Sequence, residues 1–304
     1  MNIMVIGGAG FIGRNLLKEL KENNDYNLFS FDLIESIEGI ESIIGDILDK
    51  KLLINSLKNI DVVFIKAGIL GNPEESMNIN SFDKYFNINL VGLNNILEAC
   101  ILNNIKKIIY DSSISIYGEQ EDAFFAKEDV FPKPRNLYGY SKVNAERLLT
   151  MICTKYKINL IILRYSRVRT ISSKDVIYHF FNSIKNDQTV TIKGNPLKKI
   201  EFVDLQDVIK ANLLSLEKSI SYGQFNISSG DVISIKELLE LLMFILNKNS
   251  IYNYLPEKNI IEPTYTHLDM KNAKEILGYN PSISLNEMIE KVIKHEKDLN
   301  DKPF

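Results

Sequence analysis

Cysteine is nearly missing from this chain of 304 residues, which carries only Cys100 and Cys153. Two isolated thiols, set in apolar segments that read as helical or helix-ending, exclude a disulfide framework and a cysteine-rich metal knuckle. A reducing cytoplasm is the setting they imply. Histidine is scarce too, and His179, His267 and His295 are too dispersed for a metal triad, so no metal is expected. A surplus of positive charge is absent: 36 Lys and Arg face 39 Asp and Glu, a formal net charge of -3, which argues against nucleic acid as a partner. Long apolar runs are lacking as well. Leu160 to Leu163 and Leu238 to Leu246 fall short of a bilayer span, and the second contains Glu240, so no membrane partner is expected. No basic leader stands ahead of the first strand-like run, which begins at once.

What is present is an ordinary globular composition, 45% hydrophobic and 25% charged, in a chain long enough for one large domain or two unequal ones. Ile3 to Arg14, I-M-V-I-G-G-A-G-F-I-G-R, is a short apolar run that breaks into closely spaced glycines and continues as a helix. Gly8, Gly10 and Gly13 have the G-x-G-x-x-G spacing, in which glycines permit a tight turn, backbone approach to a pyrophosphate, and close helix–strand packing. The bare N–H groups at the helix start, at Phe11 and Ile12, would receive the phosphates. A plain αβ turn satisfies the same three glycines, so the rest of the chain has to decide between them.

Phe11 to Asn24 carries a helical stripe at Ile12, Leu16, Leu17 and Leu20. The strand-like Tyr26 to Phe31 then ends at Asp32, nineteen residues past Gly13, where a dinucleotide fold places an acid for the adenosine ribose. That carboxylate favours NAD, since it would repel the 2′-phosphate of NADP and no Arg follows between Leu33 and Ser42 to receive one. Asp46, in Gly45-Asp46-Ile47-Leu48-Asp49, fits either a hydrogen bond to an adenine amino group or a helix N-cap. Asp61 to Ala67 reads as a strand buried on both faces and ends in room for a cofactor at Ala67-Gly68. A long helix is expected over Phe82 to Asn103 and a strand from Lys107 to Tyr110. The alternation continues through the helix Leu137 to Tyr156 and the strand Asn159 to Arg164. Together these predict a doubly wound parallel α/β sheet. Beyond Arg167 the rhythm loosens: helix at Asp175 to Asn186, strand at Thr189 to Lys193, helix at Leu205 to Leu216, strand at Gln224 to Ile227, and helices at Ser234 to Leu246 and Leu285 to Leu299. That pattern suggests a smaller α/β lobe, with ligand in the cleft between the two.

Leu137 to Glu146, L-Y-G-Y-S-K-V-N-A-E, places Tyr138 and Lys142 four apart, a turn from one another on one helix face. A phenol has an unperturbed pKa of about 10, and a nearby ammonium favours its phenolate, which would make the pair a proton shuttle. A buried Tyr with a snorkelled Lys gives the same spacing. Asp111 to Gly118, D-S-S-I-S-I-Y-G, follows an apolar strand, and its Ser113 stands at a strand's carboxyl end, where open α/β sheets bind ligand. Ser112 and Ser113 in a mere turn would look alike.

In order along the chain, G-G-A-G-F-I-G at Gly7 to Gly13, Asp32, G-D-I-L-D at Gly45 to Asp49, N-L-V-G at Asn89 to Gly92, S-S-I-S-I-Y-G, Tyr138 with Lys142, and L-R-Y-S-R-V at Leu163 to Val168 resemble the NAD-dependent epimerase/dehydratase family of extended short-chain dehydrogenase/reductases. E-F-V-D-L-Q-D-V, F-N-I-S-S-G and L-G-Y-N-P extend the resemblance over nearly the whole length. It implies a Rossmann lobe over residues 1–168, with contributions from later segments, and a mainly substrate-binding lobe over 169–304. It implies that NAD is held by Gly7, Gly10, Phe11, Ile12, Gly13, Asp32, Asp46, Ile47, Ala67, Gly68 and Asn89, with Tyr138 and Lys142. Tyr138 would be the general acid/base, Lys142 would lower its pKa and bind ribose, and Ser113 would position the reacting hydroxyl. The reaction implied is epimerisation of a nucleotide sugar, most simply at C4, through a transient keto-sugar. A homodimer joined through the helices around Phe82 to Asn103 and Leu137 to Tyr156 is also implied.

Departures from the family pattern narrow the expectation. Family 4,6-dehydratases place Asp-Glu after the active-site hydroxyl, whereas Ile114-Ser115 follows Ser113. UDP-sugar epimerases of the family usually show Asn where this chain has Arg167, Arg where it has Ile200, and another Arg near Glu257 to Pro263. Arg167, Arg169, Lys198 and Lys199 are left to meet a diphosphate, and of these Arg167, Arg169 and Lys199 are taken as substrate residues. A keto-sugar reductase with the same residues, and a non-catalytic dinucleotide sensor, are the alternatives.

Overall fold

In a computed structural model of the chain, residues 1–22, 25–70, 73–118, 125–255 and 267–300 are described. The strands are β1 (Asn2–Ile6), β2 (Asn27–Asp32), β3 (Glu41–Ile44), β4 (Val62–Ile65), β5 (Lys107–Ser113), β6 (Phe125–Ala126), β7 (Asn159–Tyr165), β8 (Arg167–Arg169), β9 (Val190–Lys193), β10 (Lys199–Asp204), β11 (Tyr222–Ile227), β12 (Val232–Ser234), β13 (Tyr252–Leu255) and β14 (His267–Leu268). The helices are α1 (Phe11–Lys21), α2 (Lys50–Ser56), α3 (Pro73–Ser76), α4 (Phe82–Phe86), α5 (Leu93–Leu102), α6 (Leu137–Tyr156), α7 (Val176–Lys185), α8 (Leu205–Glu217), α9 (Ile235–Leu246) and α10 (Leu285–Asn300).

Seven strands form one sheet in the order β11-β7-β5-β4-β1-β2-β3, and all neighbours in it run parallel. Parallel strands need crossovers, and the crossover helices cover both faces, so the strands read as apolar runs rather than alternating ones. Within β1, Met4 and Ile6 enter a core with Leu93, Ile96, Leu97 and Leu149. Ile3 and Val5 enter the opposite core with Leu16, Leu17 and Val208. Each fully buried side chain of this size contributes about 1.5–3 kcal/mol. The order reverses between β1 and β4, and a crevice at such a reversal is where open α/β sheets bind ligand.

The strand at Gln224 to Ile227 lies not in a smaller lobe but at the edge of the large sheet, where β11 pairs with β7. The smaller lobe has its own core, built from Ile177, Phe180 and Ile184 of α7, Ile200 and Phe202 of β10, Leu238, Leu239 and Leu242 of α9, and Met288 and Ile289 of α10. A three-stranded sheet, β12-β10-β8, crosses towards it from the large sheet, since β8 begins two residues after β7 ends.

The long helix expected over Phe82 to Asn103 is interrupted. Between α4 and α5, residues Asn87–Gly92 adopt π-helical turns, a distortion that widens the helix locally and occurs frequently at functional sites. Here it carries Asn89, whose side chain is buried against the chain that follows β4. Helix α6 matches its expected span, with Asn136 as N-cap accepting from the Gly139 N–H at 2.8 Å.

Candidate active site

A cavity of about 510 Å³ opens at the carboxyl ends of β1, β4, β5 and β7. At one end its wall is backbone from Gly7, Gly10 and the first turn of α1, together with Gly68. Gly10 is the N-cap of α1, its N–H donates to the Gly7 carbonyl at 3.1 Å, and the first intrahelical bond is Arg14 N–H to Gly10 O at 2.9 Å. The N–H groups of Phe11, Ile12 and Gly13 therefore precede the helical ladder, at the positive end of the helix. Gly13 is required by the packing: a Cβ there would lie 2.1 Å from the Gly7 carbonyl oxygen. Asp32 closes β2 beside this loop, accepting from Ala9 N–H at 2.9 Å through Oδ2 and from Leu33 N–H at 2.7 Å through Oδ1. A backbone-lined anion cradle with a carboxylate at the end of the adjacent strand fits a dinucleotide.

The other end is polar and reactive. Ser113, Tyr138, Lys142, Ser115, Arg135 and Arg167 line it. Tyr138 stands on the first turn of α6, and Gly139 beside it lets the helix approach the 3₁₀ turn after β5, since a Cβ there would lie 2.5 Å from the Ser115 carbonyl oxygen. That approach brings the phenol near enough to Ser113 for the serine hydroxyl to favour its ionised form. The Ser113 hydroxyl also donates to Ser115 Oγ at 3.1 Å and accepts from Ser115 N–H at 3.2 Å. Lys142 Nζ donates to the Asp111 carbonyl at 2.7 Å and to Tyr110 Oη at 3.1 Å, and lies 5.9 Å from the Tyr138 ring centre.

The electrostatics correct one expectation. Burial raises the Tyr138 phenol to about 12; the Ser113 hydrogen bond opposes this, while the nearby Asp111 and Tyr85 add to it. Lys142 does not bring the phenol into the neutral range, because its ammonium is engaged by Asp111 and Tyr110 rather than by the phenolic oxygen. The lysine itself is lowered to about 8, mainly by burial, with Asp111 and Glu146 holding its charge and Lys66 opposing it.

Of the other expected cofactor residues, Ala67, Asp46, Ile47 and Asn89 are off the cavity lining. Asn89 is not on the cavity lining: its amide accepts from Ile69 N–H at 2.8 Å, donates to the Ile69 carbonyl at 3.3 Å, and donates to Ser141 Oγ at 2.9 Å. It thereby fixes the turn that carries Ala67 and Gly68. Ile47 is buried against Gly92, where a Cβ would come within 2.4 Å of it. Asp46 is not the N-cap of α2. It accepts from Leu48 N–H at 2.9 Å, while Asp49 caps the helix by accepting from Leu52 N–H at 3.0 Å. Asp46 is exposed and off the cavity lining, next to Gly45, whose N–H donates to the Asp32 carbonyl at 2.8 Å.

Of the expected substrate residues, Arg167 lines the cavity and two others do not. Arg169 is buried, donates to Asp175 at 2.9 Å and 3.3 Å, and reaches the Met288 carbonyl at 3.3 Å. It ties β8 to α7 and α10, so its expectation as a substrate contact is corrected. Lys199 is at the start of β10, paired in register with Ser234 and near enough to Glu237 and His267 to influence both, off the lining. Ile200 is buried in the core of the smaller lobe. The stretch Glu257 to Pro263 lies outside the described residues.

Among the lining residues that pattern does not single out are the polar Lys66, Asp111, Arg135 and Tyr165. The signal for the first two was visible: Lys66 interrupts the apolar run D-V-V-F-I-K-A, and Asp111 stands ahead of the serines at the end of a buried strand.

A dinucleotide-binding enzyme on a doubly wound parallel sheet is the class this fold and its glycine cradle define. The model of the NAD dependent epimerase/dehydratase family matches residues 3–228, and the chain belongs to that family. It is 31% identical to a putative UDP-glucose 4-epimerase of Methanocaldococcus jannaschii, covering 98% of this chain and 99% of the relative. It is 30% identical to a dTDP-4-dehydro-6-deoxyglucose reductase of Escherichia coli, covering 96% of each. Among solved structures it superposes on a UDP-glucuronic acid 4-epimerase from Bacillus cereus in complex with UDP-glucuronic acid and NAD, with a TM-score of 0.87 and 28% identity over 98% of this chain and all of the other. The protein is an NAD-dependent enzyme of the epimerase type.

Proposed function

We propose that this chain inverts a nucleotide-linked sugar at C4, holding its NAD through the cycle and returning the hydride it removes. The carrying observation is one cavity that joins the glycine cradle and the first turn of α1 to Ser113, Tyr138 and Lys142. Residues 1–168, with α8 and β11 added from later in the chain, form the cofactor lobe in this reading, and 169–304 supply most of the sugar side.

Bound NAD supplies the hydride acceptor and donor. Tyr138 takes the proton from the sugar hydroxyl as the carbonyl forms and gives it back after the sugar has turned. Ser113 holds the reacting oxygen against the phenol, and Lys142 anchors the ribose while placing positive charge beside the site. Arg167 and Arg135, the guanidiniums on the sugar side of the lining, meet anionic groups of the substrate. Dehydration is disfavoured because Ile114 and Ser115 stand where an acid and base pair would be needed.

Likeness to the reductase relative supports net reduction of a keto-sugar as a second reading. One experiment separates the two. The purified protein is incubated with UDP-, TDP-, GDP- and CDP-sugars while ring and anomeric protons are followed by NMR and NADH by absorbance. Inversion without net NADH change is expected; stoichiometric NAD(P)H consumption with a keto-sugar and no inversion would replace the epimerase reading.

A further inference from the structure

Tyr138, Lys142 and Glu146 follow one another at four-residue spacing along α6, on one face of the helix. The first two line the cavity and Glu146 does not. Glu146 and Arg164 of β7 form an ion pair in which the residues are only 4% and 3% exposed. Arg164 meets the carboxylate as a fork, Nε donating to Oε1 at 3.0 Å and Nη2 to Oε2 at 2.6 Å. Oε1 also accepts from the Ser112 hydroxyl. Through Nη1, Arg164 donates to Tyr117 Oη at 2.9 Å and to the Glu128 carbonyl at 2.8 Å, and Tyr117 Oη in turn donates to Asn226 Oδ1 at 2.6 Å.

Ser112 directly precedes Ser113, and Tyr117 closes the 3₁₀ turn Ile114–Ile116 that Ser113 opens. The pair therefore grips both ends of the turn that carries Ser113 and Ser115, and with the same carboxylate it grips α6 one turn beyond Lys142. Strand β7 brings it there, since Arg164 lies opposite Ser112 in register and Tyr165 opposite Ser113. For stability alone a buried ion pair is a poor choice. Taking its charges out of water costs several kcal/mol per ion, and apolar residues of similar volume often hold a core as well or better. Apolar contact, however, has no direction. A guanidinium fork on a carboxylate fixes angle as well as distance, and a misplacement of about 1 Å among reacting groups can cost about 10²-fold in rate.

We propose that Glu146 and Arg164 are positioning residues for the reaction: off the cavity lining themselves, they hold the Ser113 turn and the Tyr138–Lys142 face of α6 in one register. This rests on Ser113 and Tyr138 acting on the substrate as in the proposed function, but not on the identity of the sugar.

The test compares the full-length wild type with Arg164→Lys, which keeps the charge and loses the fork, and with Glu146→Leu/Arg164→Met, which replaces the pair by apolar side chains of similar volume. Circular dichroism melts check folding. UDP-glucose is the probe sugar, its inversion followed by NMR over a range of pH, and crystal structures of the NAD complexes give the separation of Ser113 Oγ from Tyr138 Oη. The expected result is that the variants fold, KM and NAD affinity stay within a few-fold, kcat falls about 10- to 100-fold at every pH, and the separation changes from that of the wild type. Wild-type kcat in a folded variant, or an unmoved separation, overturns the proposal. A rate that returns to the wild-type value at lower pH would assign the effect to the charge on Lys142, and failure of both variants to fold would make the pair a stability device; either also overturns it. If UDP-glucose is not inverted, the separation alone decides, so the epimerase reading, judged on the wider sugar panel, fails separately.

Discussion

At the scale of single residues, Tyr138 sets the problem for the chemistry. Burial raises its phenol to about 12, so a phenolate near neutrality needs further positive charge beside the ring. Lys142, lowered to about 8, is already committed to Asp111 and Tyr110. If Tyr138 is the proton carrier, Tyr138→Phe removes the acid and base together and leaves the packing nearly unchanged. Turnover should fall by about 10²–10⁴-fold while NAD affinity stays within a few-fold, read by NMR inversion rates and by calorimetry. Full activity in that variant would remove Tyr138 from the mechanism. The pair itself was legible because its i, i+4 spacing puts two side chains on one helix face. The direction of the phenol's shift was not legible, since spacing does not report burial or the partners that compete for the ammonium.

Elements explain where the sequence was readable and where it failed. Helix α6 was legible to the residue because its cap, stripe and end are local. Asn89 sat in a stretch read as uninterrupted helix, and the π turns that re-aim it arise from packing against the turn after β4, which no local pattern records. Arg169 looked like a ligand for a diphosphate, yet the fold directs it to Asp175 on the next helix. Strand β10 shows the same dependence on packing. It buries Glu201 so fully that the carboxyl is raised to about 8, burial outweighing the Leu268 N–H and Ser228 hydrogen bonds and the Arg167 charge, with Asp231 adding to the rise. His267 Nε2 is 3.7 Å away, and its own pKa is lowered by burial. The folded state therefore binds more protons than the unfolded one between the ordinary carboxyl value of 4.5 and about 8. This contribution to stability is fully present below that window and is lost as pH rises through it. Wild-type Tm should fall by several degrees across the window. Glu201→Gln, which keeps the shape and a permanently neutral amide, should remove most of that fall in calorimetric scans; an unchanged slope would place the pH dependence elsewhere.

For the whole molecule, the remaining expectation concerns assembly. The helices flanking the cofactor side leave large apolar side chains in solvent: Phe82 on α4, Val91 in the π turns, Leu102 on α5, and Tyr140, Met151 and Tyr156 on α6 are all exposed. Isolated exposed apolar residues are ordinary on a protein surface, but several on adjacent helices form the kind of patch that another surface covers. A second copy would present the same patch, and a two-fold axis lets it cover itself. If these helices form the dimer, light scattering after gel filtration should give twice the 34.8 kDa of one chain. Met151→Glu, which buries a carboxylate in that contact, should shift the protein to monomer at micromolar concentration. Because Met151 is not on the cavity lining and its side chain is exposed on α6, the monomeric variant should still bind NAD. A wild-type mass of one chain, or a Met151→Glu protein that remains paired, would move the contact off α6.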